Sequence, residues 1–128
     1  MDLQGEEIIA RLSEVPGFSN VRFILLFGSV AEGRAGPGSD VDIAIFYDGD
    51  QEEASLFRYK CLIALGSSRY DVTIFQQLPL YIRIRALRGK ILYCPDLSFL
   101  YDVAYETIRD YDAFKHRLDD YTGEKAIS

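Results

Sequence analysis

The chain has 128 residues, 48% of them hydrophobic and 27% charged, which is ordinary for a globular protein and predicts one domain over residues 1–128. Its formal net charge of -6 repels polyanions on average and argues against nonspecific binding of nucleic acid. Because the sequence has only two cysteines, Cys61 and Cys94, and shows no signal peptide and no apolar run near about 18 residues, we expect a reduced, cytoplasmic protein that does not enter a membrane.

The first predicted elements are an amphipathic helix and a buried strand. The helix covers residues 2–15 and ends at Pro16-Gly17. The strand covers residues 21–27, and both of its alternating faces are apolar from Phe23 onward. We therefore expect this strand to lie inside a sheet that is covered on both sides.

A turn suited to phosphate follows this strand. Gly28 has no Cβ, so the backbone turns sharply there and a ligand approaches the amides closely. Ser29 is predicted to cap a short helical turn with a spare hydroxyl, and helix starts of this kind bind phosphate. The turn-forming loop over residues 32–39 contains Arg34, which is a further candidate for phosphate binding.

The second strand is predicted over residues 40–47 and carries two carboxylates on one face. Asp40 and Asp42 alternate there with apolar residues. Like charges on an apolar strand are unfavourable unless a cation offsets them, and Mg²⁺ prefers carboxylate and phosphate oxygens. The alternative is that both carboxylates are solvated at the mouth of an edge strand.

These residues together resemble a known family. Gly28-Ser29, ten further residues and then Asp40-x-Asp42 are similar to the signature of the nucleotidyltransferases of the DNA polymerase β superfamily. More narrowly, the run FGSVAEGRAGPGSDVDIAIF resembles the minimal nucleotidyltransferases, the MntA-type antitoxins found beside HEPN toxins. The resemblance implies an α/β (α+β) fold of the polymerase β type, with a small mixed sheet, flanking helices and a long C-terminal helix.

The same resemblance implies a reaction. ATP is expected to bind at Gly28 and Ser29, and two Mg²⁺ ions at Asp40, Asp42 and a third acid on a neighbouring strand. It also implies that AMP passes to a tyrosine hydroxyl of a HEPN toxin, with which the chain forms a hetero-oligomer.

The candidate for the third acid lies further along the chain. After a helix predicted over residues 51–65, in which Cys61 fits core packing better than a nucleophilic role, a strand is predicted over residues 69–75. Asp71 lies at the start of this strand and is the acidic residue in a matching context. If the strand pairs beside the strand of Asp40, the third carboxylate reaches the same metals. The alternative is an aspartate that caps a turn.

A further helix is predicted over residues 79–88, followed by a short strand over residues 90–93. The three arginines of this helix, Arg83, Arg85 and Arg88, carry guanidinium groups that suit phosphate oxygens, although such a row more often forms a solvated face. We interpret Arg83 as part of a solvated face and leave the roles of Arg85 and Arg88 open.

The last predicted element is the longest helix, over about residues 96–121, which follows a core of about residues 1–95. The tail over residues 122–128 has little to bury and is expected to fray. The second half of the helix carries an apolar stripe that either forms an interface with another protein or is buried within the monomer. This stripe consists of Tyr111, Phe114 and Leu118.

The resulting hypothesis is Mg²⁺-dependent nucleotidyl transfer with Asp40, Asp42 and Asp71 as the catalytic carboxylates. One alternative is an antitoxin that masks its partner by stoichiometric contact without catalysis. A second is a nucleotidyltransferase with a small-molecule acceptor. A metal-dependent glycosyltransferase is disfavoured, because such enzymes are generally about twice as long.

Overall fold

The computed structural model describes residues 3–34, 36 and 38–127, and the side chains of residues 5–119 within those ranges. In this part of the chain, five α-helices flank one mixed four-stranded sheet. The helices are α1 (Leu3–Leu12), α2 (Gly28–Ala31), α3 (Gln51–Leu65), α4 (Leu80–Leu87) and α5 (Leu97–Ile127). The strands are β1 (Val21–Phe27), β2 (Val41–Tyr47), β3 (Tyr70–Ile74) and β4 (Lys90–Tyr93).

The strands lie in the order β3-β2-β1-β4. β1 pairs antiparallel with both β2 and β4, whereas β2 pairs parallel with β3. The prediction of a small mixed sheet with flanking helices is confirmed. The strand order could not be derived from the sequence, because it depends on how the connecting helices carry the chain from one strand to the next.

Each face of the sheet is covered by its own pair of helices, so the two cores are separate. α1 and α3 pack on one face, where the central side chains are Ile8, Leu12, Ile24, Ile43, Phe57 and Val72. α4 and α5 pack on the other face, where they are Phe23, Leu25, Phe27, Ala44, Phe75, Ala86 and Leu100. The expectation that the first strand is covered on both sides is confirmed, because side chains that alternate along β1 enter both cores.

Several predicted boundaries differ from the structure by one residue or more. α1 ends at Leu12, before the predicted end of the first helix, and β2 begins at Val41, so Asp40 lies just outside the strand. α5 extends to Ile127, beyond the predicted end at Tyr121. The side chains of residues 120–128 lie outside the described ones, so the fraying of the tail over residues 122–128 stays a prediction.

α5 is much longer than the surface it covers. Leu100 and Thr107 are buried against the domain, but Phe114 is 47% exposed and Leu118 is 48% exposed. The apolar stripe of the second half of the helix is therefore largely at the surface. Among the helices of the described residues, none is both long and apolar enough to cross a membrane.

Both cysteines are free thiols. Cys61 lies on α3 and is fully buried, and burial raises its pKa to about 12. Since a thiolate is needed for nucleophilic attack, this environment agrees with the predicted role of Cys61 in core packing.

One side-chain hydrogen bond links the two parallel strands. The Thr73 hydroxyl donates to the Ile43 carbonyl at 3.1 Å. We expect Thr73→Val to lower the free energy of unfolding by about 1 kcal/mol, measured by urea denaturation, because the link between β2 and β3 is lost. Thr107→Val is the control, since the Thr107 hydroxyl donates to the Val103 carbonyl one turn back in its own helix. A larger loss in the control would contradict this account.

Candidate active site

Two carboxylates lie side by side at one end of the sheet. Asp42 of β2 is in register with Phe27 of β1 on one side and with Asp71 of β3 on the other. Residues in register on neighbouring strands share a face, and here it is the face that carries Phe27 and Ala44, covered by α4 and α5. Asp42 is half-buried, whereas Asp71 is exposed. The predicted pairing of the third acid beside the second strand is therefore found.

Gly28 gives the Asp42 carboxylate its space. The backbone of Gly28 has a φ of 81°, and a Cβ at this position would overlap Oδ2 of Asp42. The sequence indicated a glycine that lets the chain turn sharply and lets a ligand approach. In the structure the group that lies against Gly28 is the Asp42 carboxylate of the neighbouring strand. The residue at position 28 must therefore lack a Cβ for this carboxylate to keep its position.

The charges around Asp42 make its ionised form unfavourable. Burial raises the pKa of Asp42 above its ordinary value, and the nearby carboxylates of Asp71 and Asp40 raise it further. The Arg85 guanidinium acts in the opposite direction. Asp40 is thus close enough to interact with Asp42, although it is exposed and lies before the strand.

A second cluster of charges adjoins these acids. Nε of Arg34 donates to Oε1 of Glu32 at 3.0 Å, and Nη2 of Arg34 pairs with the same oxygen. Nε of Arg85 lies 3.6 Å from Oε2 of Glu32. The hydrogen bond from Arg34 is the main reason that the pKa of Glu32 is lowered, and Arg85 adds to the effect. Glu32 therefore holds two guanidinium groups.

The structure brings Gly28, Asp42 and Asp71 together, with Asp40 near them. Arg34 contacts Glu32, which was not singled out from the sequence. The prediction that Ser29 caps the short helix is wrong: the chain stays extended through Phe27, α2 begins at Gly28, and Ser29 lies within its first turn. Glu32 could not be identified from its spacing, because its partner Arg85 comes from α4, whose docking position no local pattern reveals.

The acids at this end of the sheet have the chemistry of a hard-cation site. Carboxylate oxygens are the protein ligands that Mg²⁺ prefers, and the raised pKa of Asp42 reflects repulsion that a cation would relieve. Within the described residues, no three histidine, cysteine or acidic side chains are gathered closely enough to hold a metal ion as they stand. The acids are thus of the chemical kind that binds Mg²⁺, although the described side chains do not form a metal site as they stand.

The chain is similar in sequence to nucleotidyltransferases. A family model described as polymerase beta, nucleotidyltransferase matches residues 6–98. The putative protein adenylyltransferase MJ1547 of Methanocaldococcus jannaschii is 33% identical over 83 residues. That stretch spans 62% of this chain and 62% of the relative, which is less than two thirds of either.

Solved structures share the fold. A chain in the crystal structure of a toxin-antitoxin with AMP-PNP has a TM-score of 0.72 and 20% identity, covering 97% of this chain and 98% of that one. A chain in the structure of a tri-AMPylated Shewanella oneidensis HEPN toxin in complex with an MNT antitoxin has a TM-score of 0.67 and 20% identity, with both chains covered completely. At this level of identity the similarity establishes the fold.

The overlap at Gly28 is testable with a matched glycine. Gly33 also has a positive φ, of 74°, but a Cβ there would meet no described atom within 4 Å. We expect Gly33→Ala to lose about 1 to 2 kcal/mol of unfolding free energy from backbone strain alone. Gly28→Ala should lose at least about 1 kcal/mol more, because it also displaces the Asp42 carboxylate.

A double variant isolates that contact. In an Asp42→Ala background, which removes the carboxylate, the extra loss of Gly28→Ala over Gly33→Ala should disappear when measured by chemical denaturation. An extra loss that persists there would show that Gly28 is needed for a different reason.

The pKa of Asp42 predicts how stability depends on pH. Since the folded protein keeps the Asp42 proton to a higher pH than the unfolded chain, the free energy of unfolding falls as pH rises from the ordinary Asp value of about 3.8 through the folded pKa. We expect Asp42→Asn to be more stable than the wild type at pH 7 and to lose this advantage below that range. Denaturation at several pH values measures it, with Asp48→Asn, in the exposed turn after β2, as the charge control.

Proposed function

Because the chain belongs to the polymerase beta nucleotidyltransferase family, we propose that it is an adenylyltransferase that moves AMP from ATP to a partner protein. The observation that carries this proposal is the register of the sheet, which sets Asp42 beside Asp71 and against Gly28. Carboxylates on neighbouring strands, next to a glycine turn that opens a helix, suit a nucleotide and its metal ions.

The turn after β1 is proposed to bind the nucleotide. The first amides of a helix have no carbonyl partner inside it, so those that follow Gly28 are suited to the β- and γ-phosphates, with the Ser29 hydroxyl beside them. Arg34 in the adjoining loop is proposed to add a guanidinium. Support comes from the similar fold of the toxin-antitoxin structure with AMP-PNP.

Asp40, Asp42 and Asp71 are proposed to hold two Mg²⁺ ions. When bound, such ions lower the pKa of an attacking hydroxyl and stabilise a leaving pyrophosphate. The hydroxyl oxygen forms a bond to the α-phosphorus of ATP, and the bond from that phosphorus to the oxygen bridging to the β-phosphate breaks. Asp71 is exposed at the end of the sheet and is proposed to accept the proton of the hydroxyl.

The acceptor is proposed to be a tyrosine hydroxyl of a HEPN toxin, which the transfer neutralises. Two observations support a protein partner. The folds that match this chain occur in complexes with HEPN-type toxins, one of them tri-AMPylated, and α5 exposes apolar side chains such as Phe114 beyond the part that packs on the domain. A reaction that consumes ATP also fits the cytoplasmic location expected from the sequence.

Intact-mass spectrometry of the partner tests the reaction. The co-expressed HEPN-type protein is incubated with this chain, Mg²⁺ and each of the four nucleoside triphosphates. We expect a mass gain of one or more AMP units with ATP alone. Asp42→Asn should slow the gain at least about 100-fold, since it removes a charge that acts on the transition state, while Asp48→Asn should react at the wild-type rate.

Three other outcomes would favour a different function or refute the roles of the carboxylates. Inhibition of the partner that is undiminished without ATP, in a complex that gains no mass, would favour an antitoxin that acts by stoichiometric contact. Transfer by Asp42→Asn at the wild-type rate would refute the assignment of the carboxylates. A gain on a small molecule but not on the partner would favour a small-molecule acceptor.

A further inference from the structure

Arg85 reaches the candidate active site from a distant part of the chain. It lies on α4, yet its Nε is 3.6 Å from Glu32, which immediately follows α2. It also interacts electrostatically with Asp42 on β2. Arg85 therefore lies between the loop that carries Arg34 and the carboxylates at the end of the sheet.

The balance of charge at this place is negative. Glu32 pairs with the guanidinium groups of Arg34 and Arg85, and Asp42 interacts with Arg85 and with the carboxylates of Asp40 and Asp71, so four carboxylates stand against two guanidinium groups. A triphosphate brings further negative charge and would be repelled by the acids unless cationic side chains contact it. Arg85 is one of the two guanidinium groups positioned for that purpose.

The ion pairs of Glu32 with Arg34 and Arg85 are weak enough for another anion to replace the Glu32 carboxylate. The side chains of Arg34, Arg85 and Glu32 are 63%, 47% and 39% exposed, and the contact of Arg85 is longer than a hydrogen bond. Exposed ion pairs contribute little stability. A guanidinium forms stronger, bidentate hydrogen bonds with phosphate oxygens, so a phosphate group that arrives here competes well against Glu32.

We propose that Arg85 binds the phosphate tail of the nucleotide together with Arg34, and that Glu32 holds both guanidinium groups in position until the tail displaces it. This inference rests on the proposed function, because the tail is that of the ATP donor. Glu32 therefore competes with the phosphate tail, because its carboxylate pairs with the same two guanidinium groups.

Arg83, the other arginine of α4, makes a different contact. Nε of Arg83 donates to the Leu78 carbonyl at 2.9 Å, and the side chain is half-buried. Residues two apart on a helix do not face the same direction, so Arg83 and Arg85 project differently. Contrary to the sequence interpretation of a solvated face, Arg83 is half-buried and bonded to the backbone, and we assign the open role of Arg85 to the site.

Calorimetric titration of the full chain with ATP and with AMP, both in Mg²⁺, tests the proposal. We expect Arg85→Gln to weaken ATP binding about tenfold or more, the effect of losing a charge-assisted hydrogen bond, and AMP binding less than about twofold. Arg85→Lys should lie between the wild type and Arg85→Gln for ATP. Glu32→Gln should tighten ATP binding about two- to fivefold, because the competing charge is removed.

Arg109→Gln is the matched control. It removes the same charge from α5, where the Arg109 guanidinium lies 5.8 Å from the centre of the Tyr105 ring, and it should bind ATP as the wild type does. The melting temperature of each variant is measured in parallel and should not change, since the side chains replaced are exposed.

The outcomes separate this inference from the proposed function. If the wild type binds ATP and modifies its partner but Arg85→Gln binds ATP equally well, the role of Arg85 is refuted and the transferase stands. If ATP and AMP weaken equally in Arg85→Gln, contact with the tail is refuted. If the wild type binds ATP in an Arg85-dependent way but modifies no partner, the proposed reaction fails while the phosphate site stands. If the wild type binds no ATP, both are refuted.

Discussion

The position of β2 between β1 and β3 is the constraint on which the rest of the structure depends. Its antiparallel pairing with β1 sets Asp42 against the turn at Gly28, and its parallel pairing with β3 sets the same residue beside Asp71. A shift of one residue in either register would turn Asp42 toward the opposite core. The apolar side chains of Val41 and Ile43, which are fully buried, prevent that shift.

The electrostatics of the site follow from this arrangement and come at a cost in stability. Burial and two neighbouring carboxylates raise the pKa of Asp42, so the ionised form is held in an unfavourable place. The cost is tolerated because the hydrophobic residues on both sides of the sheet stabilise the fold independently. A carboxylate held in an unfavourable position at the end of a sheet is typical of a functional site that binds charged ligands.

The helices on the acidic face connect the site to the rest of the molecule. α4 packs on β1 and brings Arg85 to Glu32 and Asp42, while α5 packs on α4 and then extends past the domain. Aromatic rings fill the space beneath them: the ring of Phe23 lies 5.3 Å from that of Phe75, and the ring of Phe46 lies 5.0 Å from that of Phe99. A single core thus fixes both the helix that carries the arginine and the helix that is proposed to meet a partner.

The sequence by itself determined the elements that carry the site and the kinds of residues in it. Gly28, Asp40 and Asp42 stand in a short contiguous pattern whose turn and alternation are local properties of the chain, so they were recognisable without a structure. Asp71 was identified by its place in a strand, but only the pairing of β3 with β2 shows that it lies beside Asp42. The strand order, the overlap of a Cβ at Gly28 with the Asp42 carboxylate, and the convergence of Arg34 and Arg85 on Glu32 were decided by tertiary structure. These contacts join residues from separate elements, and no local periodicity specifies where two elements meet.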